Sequence, residues 1–344
     1  MTVMRNSAKG LWDRLENMKY KKQIFLISVS LSFVVLVSLL ISSLFVALRL
    51  TSVLRDGRNR LLMDRKFEVV SLPGDEENIE YAYNRDVINI LLIGVDKTSD
   101  KDQEAATEQA DALYLFAFDT VKKQVHVIAI SRNTLMSVDI YDMNHKLVAR
   151  DEQQICTAYA YGRTRKESAE LTVDAVSRFF YNIPISGYYV VYMDAVGEIV
   201  DSVGGVSVEI DEDMTIISPD WRKGTNVLLK GEKVVRYLRF RQESNEPRLD
   251  RQKVFLQKFL SVAKQMTSKD LSLPVKIFQQ LASKTVTNVD ASSVAYIASE
   301  AVQADIVLRG LKGEVGSDGF FETFTVDQDD LHQLLTDVFY KINN

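Results

Sequence analysis

The apolar run from Ile24 to Leu48 (IFLISVSLSFVVLVSLLISSLFVAL) carries no charge, no proline and no glycine. A bilayer core about 30 Å thick needs about 20 helical residues, so a run of this length spans it with some tilt. Arg5, Lys9, Arg14, Lys19, Lys21 and Lys22 precede it, against only Asp13 and Glu16. That bias predicts a cytoplasmic N-terminus, with everything after Arg49 outside. A cleaved signal peptide is the alternative, but the run exceeds a usual h-region and lacks a clean A-x-A site. The expectation is a basic tail over 1–23, a single transmembrane anchor over 24–48 and a stalk over 49–86, with Leu50 to Lys66 extending the anchor as a helix. A large domain follows at the cell surface.

That domain mixes strands with helices. Val87 to Gly94 (VINILLIG) is a continuous apolar run with the length of a buried strand. Ala112 to Phe118 and Val125 to Ile130 follow as a hairpin joined by the polar Asp119 to Gln124. Helical spacing recurs over Glu170 to Tyr181, Asp194 to Val203, Gly231 to Leu238, Arg248 to Met266, Ser292 to Val302 and Asp329 to Lys341. Gly187 to Tyr192 and Val206 to Ile210 read as strands, and Gly310 to Gly319 as polar turns. Phe179, Phe180, Tyr188 and Tyr189 read as core, although some of that apolar surface could line a lipid tunnel. The fold class predicted is α/β, an α-β-α sandwich with a central mixed sheet.

The candidates for chemistry are charged. The net charge of -5 argues against a nucleic-acid binder. The single cysteine, Cys156, rules out an intramolecular disulfide, and the three histidines form no ligand spacing. No nucleophile triad, Walker loop or GxGxxG is legible. Asp96 follows one buried strand and Asp111 precedes another; strand ends are where α/β folds gather ligands, and paired carboxylates suit magnesium. Each alone also reads as a turn aspartate. Arg132 ends the strand after Val125 and can share that rim. From Gly231 to Gln252 (GEKVVRYLRFRQESNEPRLDRQ) come Arg236, Arg239, Arg241, Arg248 and Arg251. If Tyr237 to Arg241 is extended, Arg239 and Arg241 share a face. If the segment after Pro247 is helical, Arg248, Arg251 and Gln252 do so at i, i+3 and i+4. Guanidinium forks pair bidentately with phosphate oxygens, and a pyrophosphate can use several. Glu232, Glu243, Glu246 and Asp250 lie among them, and mixed-sign runs are usually solvated faces, so charge pattern alone leaves that reading ahead.

In order, NILLIGVD (Asn89 to Asp96), QADALYLFAFD (Gln109 to Asp119), VHVIAISRNTL (Val125 to Leu135), YYVVYMDAVGEIVDSVGGVSVEI (Tyr188 to Ile210) and LLKGEKVVRYLRFR with PRLDRQ (Leu228 to Arg241, Pro247 to Gln252) resemble the LytR-CpsA-Psr family of Gram-positive envelope enzymes. The resemblance covers a core over 87–266, with 267–344 as the C-terminal part of the same domain. It implies a magnesium-assisted phosphotransferase that moves a glycopolymer (teichoic acid, capsule or another secondary polymer) from a polyprenyl-pyrophosphate carrier in the bilayer onto peptidoglycan. It further implies that Asp96 and Asp111 lie near the metal and acceptor. Arg132, Arg239, Arg241 and Arg248 would bind pyrophosphate, with Arg251 and Gln252 completing the motif.

Three positions depart from the pattern. The usual Arg-Ser/Thr-Asp-Thr is Gln109-Ala110-Asp111-Ala112, the usual PRDT is Ser131-Arg132-Asn133-Thr134, and an acid before Arg248 is Asn245. Loss of one cation and two acids leaves open a non-catalytic envelope scaffold that binds lipid-linked glycopolymer. Residues 1–23 are too short for a DNA-binding domain, so direct gene regulation is not expected.

Overall fold

A computed structural model describes residues 48–63, 69–72, 79–97, 108–240 and 246–343, the side chains of 246–250 excepted. By its contacts the chain divides into Met1–Arg55 and Asp56–Asn344. In the first unit residues 48–55 are helical, and the expected anchor lies outside the described residues apart from Leu48. Among the described residues no helix is long and apolar enough to cross a membrane.

The second unit opens with a helix over 56–62 (α1), the described part of the helix expected there. In chain order come strands β1 (Val69–Val70), β2 (Tyr81–Tyr83), β3 (Val87–Val95), β4 (Ala110–Asp119), β5 (Gln124–Ile130), β6 (Leu135–Tyr141) and β7 (Leu147–Gln154). Helices α2 (Cys156–Ala160) and α3 (Arg165–Phe179) lead to β8 (Ile185–Tyr192), then α4 (Met193–Ser202), β9 (Val206–Glu209), β10 (Asn226–Leu229), α5 (Glu232–Arg239) and α6 (Glu246–Lys269). The remainder is α7 (Leu273–Gln280), β11 (Thr285–Thr287), α8 (Ala291–Gln303), β12 (Asp305–Gly310), β13 (Gly313–Ser317), β14 (Glu322–Val326), α9 (Gln328–Leu334) and β15 (Tyr340–Ile342).

The central sheet has the order β11-β8-β3-β4-β5-β12. Strands β3–β8 and β5–β12 pair parallel, the other neighbours antiparallel, so the sheet is mixed as expected. Along β3, Val87, Leu91, Ile93 and Val95 face the main core, which Val176, Phe180, Leu335 and Phe339 complete. Ile88 and Ile90 alternate to the opposite face and are buried too. A strand covered on both faces loses the polar alternation of a half-exposed one, which is why β3 reads as a continuous apolar run. Phe180 and Tyr188 belong to this core, as their spacing suggested.

Two expectations change. The final helix does not reach Lys341: α9 runs into one π-helical stretch, Leu335–Phe339, and Tyr340 then enters β15. There β15 pairs with β2, so the end of the chain completes a small sheet with part of the expected stalk. Likewise Gly310 to Gly319 is not merely turns, because Gly313–Ser317 pairs with Glu322–Val326 as a hairpin.

A second apolar cluster lies under α5, built from Val200, Val206, Val208, Trp221, Leu229, Val234, Tyr237 and Phe255. It presents α5 to the sheet end. Its tightest point is Gly197 of α4, where an added Cβ would sit 2.8 Å from the Gly231 carbonyl oxygen. Gly231 itself, at φ 51°, ψ -135°, occupies backbone space that favours glycine and starts α5. In an open helix Gly→Ala stabilises by about 0.5–1 kcal/mol; at Gly197 the clash with backbone reverses the sign. Gly197→Ala is expected to destabilise by about 1–3 kcal/mol, read as a lower urea midpoint at unchanged m-value. A raised midpoint would show that the helix–loop gap is looser than drawn.

Candidate active site

Asp96 and Asp111 are brought together by an irregularity in the sheet. In the antiparallel β3–β4 ladder Gly94 pairs with Ala112 and Val95 with Ala110, so Asp111 is the extra residue of a β-bulge. A bulge turns one side chain out of the alternation and commonly sits beside a functional site. Here it lets the Asp111 carboxylate accept the Asp96 backbone N–H at 3.1 Å. Gly94 permits the close approach: a Cβ there would lie 3.0 Å from that of Ala112.

Arginines then close the rim from two sides. Arg132 stands in the turn after β5, held by the Thr134 N–H to Ser131 carbonyl bond of 3.0 Å. Its guanidinium ion-pairs with Asp111 and donates to Gln109 Oε1 at 2.6 Å. Arg239 is the last residue of α5 and ion-pairs with Asp96. The extended alternative for Tyr237 to Arg241 therefore fails over its described part: Tyr237 and Leu238 are helical because Val234 and Tyr237, one turn apart, are buried in the second cluster. Two acids and two bases thus alternate across the ends of β3, β4 and β5. All four are partly exposed, at 29–49% of the side chain.

Arg251 and Gln252 have a different part. Arg251 is 2% exposed, donates to Glu212 at 2.6 Å and to the Phe240 carbonyl at 2.7 Å, and lies over the Tyr237 and Phe240 rings. Gln252 donates to the Leu238 carbonyl at 3.2 Å. These bonds take carbonyls that a helix end leaves unpaired, so both side chains hold the end of α5 in place and neither joins the rim. Helicity after Pro247, expected from spacing, holds in α6. Arg241 and Asn245 lie outside the described residues, as does the side chain of Arg248.

Sequence reasoning did not place three further features. Cys156 Sγ lies 3.6 Å from an Arg132 nitrogen. Burial pushes its thiol up while Arg132 pulls it down, and burial prevails, so the sulfur stays a neutral packing atom. Glu108 is fully buried, accepts Arg165 at 2.8 Å and the Tyr192 hydroxyl at 3.3 Å. Burial pushes that hydroxyl up to about 12, so it remains a donor. A cavity of about 290 Å³ opens against Arg165, Tyr192 and Lys284. Lastly, Asn133 Nδ2 donates to Glu322 Oε1 of the β13–β14 hairpin at 2.8 Å. No local pattern links residues so far apart in sequence.

The two kinds of arginine are separable by stability. Arg251→Ala leaves the part-buried Glu212 and the Phe240 carbonyl without their buried donor and is expected to cost about 1–3 kcal/mol. Arg239→Ala removes an exposed pair worth about 0–1 kcal/mol. Thermal unfolding checks this: equal losses in the two variants would remove the distinction. For the departure at 133, Asn133→Asp sets two carboxylates against each other and is expected to lower stability by about 1 kcal/mol, an effect that Glu322→Gln should relieve.

The chain resembles known proteins in sequence and in fold. Polyisoprenyl-teichoic acid–peptidoglycan teichoic acid transferase TagU of Halalkalibacterium halodurans is 28% identical over 188 residues, 54% of this chain and 56% of that protein. TagU of Bacillus mycoides is 28% identical over 163 residues, 47% and 46%. The matches span about half the length of these curated relatives. Among solved structures, gbs0355 from Streptococcus agalactiae superposes with a TM-score of 0.59 at 20% identity, covering 73% of this chain and 86% of that one. TagT bound to LIIa-WTA gives 0.56 at 20%, covering 74% and 89%. The LytR_cpsA_psr family profile matches residues 44–339, most of the sequence, and the chain belongs to the LytR-CpsA-Psr family.

Proposed function

We propose that the protein is a membrane-anchored phosphotransferase that moves a teichoic-acid-type glycopolymer from a polyprenyl-pyrophosphate carrier onto peptidoglycan. The observation that carries this reading is the alternation of Asp96, Asp111, Arg132 and Arg239 at one end of the sheet. The names of the TagU relatives support the same substrate classes.

In the resting arrangement each arginine spends part of its fork on an aspartate. Pairs this exposed are worth about 0–1 kcal/mol, so a pyrophosphate, with more charge and more oxygens, displaces the carboxylates readily. Arg132 and Arg239 then grip phosphate oxygens, with Arg241 and Arg248 as further proposed partners. The displaced carboxylates of Asp96 and Asp111 are free for two tasks. One takes the proton of the acceptor hydroxyl as its oxygen attacks phosphorus. The bond from that phosphorus to the polyprenyl phosphate breaks, and the arginines offset the charge on the leaving group.

The donor set also fits magnesium. Asp96 and Asp111 offer two hard carboxylates on adjacent strand ends, and no group of three such ligands exists among the described residues. Magnesium commonly uses one or two carboxylates and fills its shell with water and substrate phosphates. Bound there, it would supply further charge neutralisation at the pyrophosphate. The anchor expected over 24–48, with the tail inside and the domain outside, would keep this site near its lipid-borne donor and raise the effective concentration.

The test uses the full chain in detergent with a polyprenyl-pyrophosphate glycopolymer donor and peptidoglycan oligomers, with and without magnesium. Arg132→Ala and Arg239→Ala are each expected to lower transfer about 10²–10³-fold without unfolding the domain. Tight donor binding with no product from wild type under any condition would instead support the scaffold reading.

A further inference from the structure

The β13–β14 hairpin ends in two neighbouring exposed aromatics: Phe320 is 90% exposed and Phe321 65%. Adjacent exposed phenylalanines are costly unless they meet a ligand. They are also held rather than left to swing. Asp318 Oδ1 accepts the N–H groups of Phe320 and Phe321 at 2.8 and 2.7 Å. Gly319, at φ 95°, makes the turn that only a glycine takes without strain. Fixing the loop before binding lowers the ordering cost of contact.

The base of the hairpin is fastened to the active-site rim. The Phe324 N–H donates to the Asn133 carbonyl at 2.9 Å and Thr134 bridges to Phe324. Glu322 receives Asn133 Nδ2 at 2.8 Å through its carboxylate and Gln154 Nε2 at 2.6 Å through its carbonyl. Asn133 directly follows Arg132. The tip is thus carried by the turn that holds the proposed pyrophosphate-binding arginine.

Position and charge select the occupant. The chain enters this unit through α1, which packs on the start of α8 by the Arg60–Asp290 pair at 2.7 Å. Because β11 runs antiparallel to β8, Asp290 lies toward the start of β8, away from the end where Asp96 and Arg132 meet. The hairpin, fastened at Asn133, therefore belongs to the end of the sheet where Asp96 and Arg132 meet. From Gly313 to Glu322 the hairpin carries Glu314, Asp318 and Glu322 and no lysine or arginine. That charge repels an anionic polymer and an anionic membrane surface alike. It admits a sugar chain without phosphates, whose pyranose rings offer apolar C–H faces to aromatic rings and hydroxyls to carboxylates.

We infer that Phe320 and Phe321 form a docking surface for the acceptor, an N-acetylated amino-sugar glycan of the peptidoglycan type. It delivers a hydroxyl to the phosphorus held at Arg132 and Arg239. This deepens the transfer reading and rests on it.

The test sediments the full chain in detergent with purified sacculi stripped of anionic polymer. Phe320→Ala/Phe321→Ala is expected to sediment at least tenfold more weakly and to show a raised KM for acceptor, with donor binding unchanged. Arg132→Ala should sediment as wild type while losing donor binding. As a conservative reporter, Phe320→Trp should keep binding and shift its emission to the blue when sacculi are added. Wild-type-like sedimentation of the double alanine variant overturns the inference. So does a Phe320→Trp emission that is quenched by brominated lipid in nanodiscs and indifferent to sacculi, which would give the tip to the membrane. Loss of sedimentation in the double variant, with no transfer by any form, would retain the docking surface and remove the transferase reading. Intact transfer with an indifferent tip would do the reverse.

Discussion

One residue without a partner in a β-ladder organises the candidate site. If the β3–β4 register ran unbroken past Gly94, Asp111 would pair across the sheet and its side chain would follow the strict alternation of the strand. The bulge removes it from that alternation and sets its carboxylate on the Asp96 N–H. Everything charged at the sheet end follows from this. Arg132 finds Asp111 from β5, Arg239 finds Asp96 from α5, and the helix end carrying Arg239 is braced by Arg251 and Gln252. The apolar body of β3, buried on both faces, makes the strand end rigid enough for such positioning to hold.

Charge balance at this rim gives the substitution at 109 a physical meaning. The family pattern places an arginine where this chain has Gln109. With Asp96 and Asp111 facing Arg132 and Arg239, the described rim is already neutral. The Gln109 carbonyl oxygen accepts from Arg132; a guanidinium at that position would repel it. Gln109 thus orients the remaining arginine rather than adding another. A neutral rim built from exposed pairs is easily exchanged for one in which the arginines face phosphate, whereas the buried guanidinium of Arg251 on Glu212 is not. Burial, more than residue type, separates the guanidinium groups that can meet a ligand from those that hold the fold.

The sequence was informative where the signal was local. Continuous apolar runs marked β3, β4 and β5, and strand ends marked Asp96, Asp111 and Arg132. The order of short motifs marked the family. It was silent where the determinant was distant. Nothing near Arg251 says that Glu212 and the Phe240 carbonyl will enclose it, so i, i+3, i+4 spacing placed it on the rim with its neighbours. Tyr340 has helical spacing with the residues before it, but pairing with β2 takes it into a strand. The β6–β7 pair was missed because β7 (LVARDEQQ) is mostly exposed and polar, which leaves no apolar period to read.

The hairpin joins these points. Gly313–Ser317 is short, glycine-bearing and exposed throughout, so composition assigns it to turns. Its order comes from pairing with β14 and from fastening at Asn133. The side-chain part of that fastening needs a donor at position 133, since Glu322 supplies the acceptor. The aspartate of the family pattern would offer a second carboxylate and no donor. An acid missing from the motif at 133 and an acid present on the hairpin at 322 are therefore two halves of one interaction. What looks in the sequence like a weakened catalytic motif is, in three dimensions, a contact that ties the β13–β14 hairpin to the turn carrying Arg132.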